Sequence, residues 1–500
     1  TDLVQTQIVN DLRALWNPDW TRRGIWNRSY SESRSPQIPA MLLELLSHQN
    51  FADMRYGLDP LFRFTVSRAI YKGMLRYLSS TAGFEYVVQP LPVNRIAVNF
   101  NDSGNALLTW EPTEDLLEPT ARARGYIVYT RTGGRTASFD SGTYVEANRA
   151  EIPVEPGRHY SFRVTAVNSG GESFPSQVVS LFKVPEGDEK GKILIVNGFT
   201  RISAPDSYAS HDTLYAGFTD HSDHGVPYIK DISYTGSQFE FRRKYNWSDD
   251  DAPGFGASHA DWETRVIPGN TFDYPIIHGD AFASAGYSYV SCGVDAFSDP
   301  DSPVEPEGFF AVDLILGKQK QVHRGGIPSG RADFRAFPPA LQVKLTQYAR
   351  QQGNLLISGS YVSSDIWDGV LKDSLSERFA TDILKIRHRT NQAARKGEVI
   401  TAPSPFTAFY DGKPADQAVY TFQATLNDIV YAVESPDAFE PAGEGAFTIF
   451  RYRENRLGAG VAYKGDHASV VLGFPLETLQ EKEQLERLVK QCLDFFNTDK

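Results

Sequence analysis

Cysteine and methionine are scarce in this sequence, at 2 and 3 of 500 residues. Two cysteines cannot build a disulfide scaffold. Cys292 and Cys492 both fall in apolar strand or helix patterns, where buried free thiols are expected. No apolar run approaches the roughly 18 residues of a membrane span; Leu355-Leu356-Ile357 and Val470-Val471-Leu472 are strand-sized. A basic excess is also missing. The formal net charge of −12 argues against nucleic acid as the main partner, because phosphate binding needs a basic surface. The acidity is spread along the chain, which reads as solubility. The opening Thr1-Asp2-Leu3 shows neither an initiating Met nor a signal peptide, so the chain is expected to be processed or cut from something longer.

What is present is a soluble, multidomain composition. Five hundred residues exceed one ordinary core, and a prior of ~150 residues per domain suggests three. Leu3, Ile8, Leu12 and Leu15 recur at helical spacing until a turn at 16–19. The run from Ile38 to Leu45 reads as a buried strand ending in one carboxylate, Glu44. A loop at 47–50 follows, and Asp59 to Ser79 reads as a helix with Phe62, Val66, Ile70, Met74 and Tyr77 inward. Pro60 sits in its first turn, where the missing N–H costs nothing.

This order of elements resembles the C-terminal part of a zinc-dependent N-acetylmuramoyl-L-alanine amidase. Pro39-Ala40-Met41-Leu42-Leu43-Glu44 is similar to that family's closing strand. Asn50, Asp53, Leu58, Phe62-Arg63, Ala69-Ile70, Gly73 and Tyr77 match the loop and terminal helix, and Arg23-Gly24 an upstream pair. The resemblance implies that Glu44 is the general base and proton shuttle beside a zinc-bound water. The family's zinc ligands lie on strands upstream of anything present here. His48 is the only histidine of the segment and matches no ligand position, and Leu46-Ser47 replaces the family's Gly-Phe. No cofactor is therefore expected for this chain, and zinc only in a full-length parent. The alternative for Glu44 is a structural carboxylate at a strand end.

From Val87 the texture changes to short alternating runs separated by turns. Trp110 points inward from one strand, 125–130 alternates cleanly, and Tyr160-Ser161-Phe162-Arg163-Val164 opens a strand that runs to Asn168 and a Gly-rich turn. Residues 83–185 resemble a fibronectin type III domain, with Tyr160 as the corner tyrosine. Such a module implies a spacer or contact surface.

Residues 186–500 carry apolar strands at 192–199, 288–292, 310–316, 354–358 and 468–473, with helices at 338–352 and 482–496. This spacing predicts a doubly wound α/β domain. It resembles the α/β domains related to class I glutamine amidotransferases, which accompany amidase-like chains in Bacteroidetes proteins often labelled xanthan lyase or golvesin-like. The amidotransferase triad is missing: Cys292 has no glycine two residues before it, and His467 is followed by Ala468-Ser469. Two further clusters stand out. His211-Asp212 and Asp220-His221-Ser222-Asp223-His224 are either metal ligands or solvated loop residues. Tyr245-Asn246-Trp247, Asp249-Asp250-Asp251, Phe255 and Trp262 form an aromatic-acidic insertion suited to sugar contact or to an ordered surface loop.

The sequence therefore predicts a multidomain chain: a partial α/β amidase domain (1–82), an all-β fibronectin type III sandwich (83–185) and a doubly wound α/β domain (186–500). The expected function is that of a fragment of a secreted or periplasmic cell-wall hydrolase meeting peptidoglycan or another polysaccharide, without activity of its own. The alternatives are a glycan-binding or adhesion protein, or a polysaccharide-active enzyme sited in residues 186–500.

Overall fold

The computed structural model describes residues 1–498 apart from 213, 219–221, 235, 237, 240, 242–256, 259–261, 263, 302–303, 327–329 and 407–417. The N-terminal part is helical: α1 (Asp2–Leu15), α2 (Phe51–Gly57) and α3 (Pro60–Ala82). The apolar stripes of α1 and α3 meet, burying Val4, Ile8, Leu12, Phe62, Val66 and Ala69. Gly73 permits that approach, since a Cβ there would lie 2.7 Å from the Val4 Cα. A buried ion pair, Lys72 Nζ to Asp11 Oδ2 at 2.7 Å, adds a polar pin between the same helices.

The expected strand at 38–45 does not form. These residues carry no regular structure, and Ile38 is 73% exposed, with Leu42 and Leu43 also outward. An apolar run becomes a strand only when neighbours satisfy its backbone N–H and C=O groups. Among the described residues no strand pairs with this one. Met41, Leu45 and Leu46 turn instead onto the α1–α3 core. Residues 51–57, expected as loop, are helical because Asn50 caps them, accepting the Ala52 N–H at 2.9 Å.

A β-sandwich follows. One sheet pairs β1 (Asn94–Phe100), β2 (Ala106–Glu111) and β5 (Arg149–Ile152). The other pairs β3 (Gly125–Thr132), β4 (Thr143–Val145), β6 (His159–Asn168) and β7 (Val179–Phe182). Trp110 is buried against Tyr126, with ring centroids 5.3 Å apart. The Tyr160 hydroxyl accepts the Glu155 N–H at 3.2 Å, the corner arrangement expected of it.

The C-terminal part is built on a larger sheet. In chain order its elements are β8 (Lys192–Asn197), α4 (Pro275–Ser284), β9 (Ser288–Gly293), β10 (Ala311–Gly317), α5 (Pro339–Arg350), β11 (Asn354–Gly359), β12 (Ile386–Thr390), β13 (Glu398–Thr401), β14 (Val419–Thr421), β15 (Ala438–Pro441), β16 (Ala446–Tyr452), β17 (Gly458–Lys464), β18 (Ala468–Leu472) and α6 (Lys482–Asn497). Five strands run parallel in the spatial order β9-β8-β10-β11-β18. Antiparallel β17, β16, β13 and β14 extend the far side. Helices cover both faces. Leu341 and Leu345 of α5 share a core with Leu194 and Val196, whereas Phe282 of α4 and Leu488 of α6 share another with Ile193 and Ile195. This is why β8 is apolar at consecutive positions rather than alternating ones.

The sandwich closes the exposed edge of this sheet. β1 pairs antiparallel with β9, Ala97 opposite Cys292. Ser291 Oγ accepts the Ser180 N–H at 2.7 Å and donates to the Ser180 carbonyl at 2.8 Å. Arg131 forms a two-pronged bridge to Asp273 at 2.7 and 2.8 Å. An unpaired strand edge is thus covered within the chain.

Candidate functional site

The order β9-β8-β10 means that the connections from β8 and β10 leave the sheet in opposite directions, and a crevice opens beyond their C-terminal ends. A cleft of about 370 Å³ lies there. After β8 the chain turns so that Thr200 and Arg201 N–H both donate to Gln319 Oε1 at 2.9 Å. β10 ends at Gly317, whose φ is +48°, and a Cβ there would stand 2.3 Å from the Phe199 ring. This turn leads to Lys320 and Gln321, which line the crevice.

A buried ion cluster forms the floor. Arg201 bonds Asp223 through Nη2 and Ser203 through Nε at 2.8 Å. Lys320 Nζ lies 2.8 Å from Asp223, and Lys318 Nζ lies 2.6 Å from Glu434. Burial would raise the Asp223 carboxyl, but the charges of Arg201, Lys320 and Lys318 outweigh it and hold the group far below the usual carboxylate range. Tyr361 lies under Lys320, whose Nζ is 4.9 Å from the ring centre. Burial, then Asp223 and Glu434, push the Tyr361 hydroxyl well up, so it remains a donor.

Around this floor stand further polar groups. Asp365 accepts the Gln321 and Ala336 N–H groups at 2.6 and 2.9 Å, yet burial pushes it up to about 6. Asp59, the N-cap of α3, reaches the same cleft and is also pushed up to about 6 by burial. Asp206, His323, Asp368 and Asn391 complete the rim. The lining thus combines Asp, Arg, Lys, Gln, His and Asn side chains with the Tyr361 ring, groups able to hydrogen-bond a ligand rich in hydroxyl groups.

The sequence-selected residues fare differently. Glu44 is exposed on the irregular 38–45 stretch. Of the loop histidine-aspartate cluster, Asp223 belongs to the ion cluster above, Asp212 accepts from Ser210 Oγ and Leu214 N, and the His224 N–H donates to Glu434. Asp220 and His221 lie outside the described residues. Among the described residues no group of three or more His, Cys, Asp or Glu could hold a metal. Of the aromatic-acidic insertion, residues 245–251 and 255 lie outside the described residues, while Trp262 stacks under Arg265, 5.3 Å from its guanidinium. Cys292 and Cys492 are buried and unpaired, with thiols pushed up by burial. His467 is buried, bonded to Asp466 and the Ile383 carbonyl. Sequence reasoning missed Arg201, Lys318, Lys320, Tyr361 and Glu434; the first four have as their only sequence signal a position just after apolar strands, and Glu434 has none.

Comparison with known proteins bears on the sandwich. The fibronectin type III domain model matches residues 91–182. This part is a fibronectin type III domain. Similar solved structures include a human fourth FNIII domain, 21% identical, covering 21% of this chain and 87% of that one, with a TM-score of 0.18. The third fibronectin III domain of human KIAA0343 is 23% identical, covering 21% and 90% at the same TM-score of 0.18. The FN1-FN3 domains of chicken CNTN1 are 15% identical, covering 20% and 33%, with a TM-score of 0.17. No curated protein matches the chain. Among the described residues no helix is long and apolar enough to cross a membrane. The fibronectin domain fits a spacer or contact role in a multidomain chain.

Proposed function

We propose that this chain is the carbohydrate-contacting part of a secreted multidomain protein of the bacterial cell envelope. The parallel-sheet part acts as a doubly wound domain that holds a glycan in the cleft beyond β8, β10 and β11. The fibronectin domain is its spacer, held in a fixed pose by the pairing of β1 with β9. The observation that carries this reading is the cleft itself, at the place where such sheets bind ligands, lined by Asp, Arg, Lys, His, Asn and Tyr. A glycan array tests it: the chain should retain a set of cell-wall or exopolysaccharide oligosaccharides, and Asn391→Ala should lose them. An array with no retained glycan, or one unchanged by Asn391→Ala, overturns the reading.

For residues 1–82 the amidase reading concerns a longer parent, with Glu44 as its general base. The sequence match at 39–44 supports it, as do the outward apolar side chains of Ile25, Trp26, Ile38, Leu42 and Leu43, a surface suited to a further layer of structure. The residues described around Glu44 do not fit a zinc site, and no step through zinc is derived. In a longer polypeptide that hydrolyses the muramoyl–L-alanine amide, Glu44→Ala should abolish release of peptides with a free alanine amine; an unchanged rate excludes the role.

A further inference from the structure

Beside the cleft, Ser363 and His388 are brought together with Asp368 of its rim. Ser363 precedes the short helical turn Ser364–Trp367 that follows β11, but its side chain makes no cap bond to that turn. It points instead at His388 of β12, with Ser363 Oγ 2.9 Å from His388 Nδ1. The other ring nitrogen, Nε2, lies 2.9 Å from Asp368 Oδ2. The His388 ring is fixed by stacking on Trp367, 6.2 Å between centroids at 17°. Ser364 and Asp368 both line the cleft.

We propose that Ser363, His388 and Asp368 form a nucleophile–base–carboxylate relay that cleaves acyl esters carried by the carbohydrate in the adjoining cleft. The substrate class rests on the carbohydrate reading; the nucleophile does not. The histidine ring runs in the reverse sense to the familiar serine-hydrolase triad, yet the roles are the same. One nitrogen holds its proton against a carboxylate, and the other receives one from a hydroxyl.

With Asp368 orienting the Nε2–H form of the neutral ring, Nδ1 is the acceptor, and the Ser363 O–H stands between that nitrogen and Asp437 Oδ2. Ser363 Oγ also lies 3.0 Å from Asp437 Oδ2, which accepts the Ser363 and Ser364 N–H groups at 2.7 and 2.8 Å. Burial lowers His388 against the pull of Asp368, favouring the neutral base. Burial pushes Asp437 up to about 7, so below that pH an uncharged Asp437 competes less for the serine proton. In the first step Ser363 Oγ attacks the acyl carbon and passes its proton to Nδ1. The bond from acyl carbon to sugar oxygen breaks, and His388 returns the proton to that oxygen. Water then attacks the acyl-serine, giving its proton through His388 to Ser363 Oγ and releasing the carboxylic acid. Ser363 is buried in the resting arrangement. The step therefore includes an outward opening of the Ser363–Ser364 turn into the cleft that Ser364 already lines.

Labelling with a fluorophosphonate probe, located by peptide mass spectrometry, tests this directly. The expected result is one probe on Ser363, lost in Ser363→Ala and His388→Ala, with hydrolysis of 4-nitrophenyl acetate falling at least 100-fold in both. Asp368→Asn, a positioning variant, should keep the label but shift the acid limb of the pH–rate profile. Circular dichroism melts of each variant separate a lost nucleophile from a lost fold. No probe on Ser363 in the folded wild-type chain, or equal labelling of Ser363→Ala, overturns the relay. Labelling without retained glycans leaves the relay standing and removes the carbohydrate reading; retained glycans without labelling does the reverse.

Discussion

At the residue scale the account turns on charges taken out of water together. Arg201 and Asp223 are fully buried, so each depends on the other. Replacing Arg201 by Met removes the fully buried partner of Asp223, leaving it only the two lysines, and should cost about 3–5 kcal/mol in urea unfolding. Lys320→Ala, at a side chain still 20% exposed, should cost about 1 kcal/mol or less. Equal costs would mean that the cluster is not organised around Arg201. A second expectation concerns pH. Asp365 and Asp59 sit at about 6 when folded, above their unfolded value of 3.8. Between these values the folded state holds more protons, so their contribution is full below pH 3.8 and is lost as pH rises through about 6. Asp365→Asn should flatten the fall in stability over that window; an unchanged slope contradicts the burial argument. Little of this was legible in the sequence, where Asp223 stood out only as part of a His–Asp loop and nothing tied it to Arg201 or Glu434.

At the element scale α1, α3, α5, α6 and the parallel strands were the legible part; α2 and α4 were not. Each of β8, β9, β10, β11 and β18 coincides with an apolar run, because a strand buried on both faces needs apolar residues at successive positions. The α1 and α3 stripes were legible in part for the complementary reason, a helical period: Ile8, Leu12, Phe62 and Val66 are buried, whereas Leu3, Leu15 and Met74 are exposed. The run at 38–45 has the same texture and forms no strand, since composition says nothing of whether a pairing neighbour exists. Gly73 measures how tightly α1 and α3 meet. A Cβ there meets the Val4 backbone, so Gly73→Ala should destabilise by about 1–3 kcal/mol despite the better helix propensity of alanine. Met74→Ala, at an exposed neighbour, should change stability by about 0.5 kcal/mol or less. A stabilising Gly73→Ala would show that the helices sit further apart.

For the whole molecule, three stretches of sequence with different textures become one connected body. The sandwich was legible from its alternation, its Trp110 and its Tyr160 corner, but its seat on β9 was not. That seat depends on Ser288 and Ser291, two small polar residues in an otherwise buried strand, which bond the backbone of residues 180–184. The cleft likewise belongs to no single stretch, since Asp59 from the N-terminal helices, Arg201 after β8 and Asp368 after β11 all reach it. The central claim is that this cleft holds carbohydrate, and calorimetric titration measures it most directly. Oligosaccharides retained on an array should bind the wild-type chain with a single stoichiometric site, and Asp206→Ala with His323→Ala should weaken binding at least tenfold while the melting temperature stays unchanged. Undiminished binding by that double variant, or no heat with any such oligosaccharide, would contradict the account.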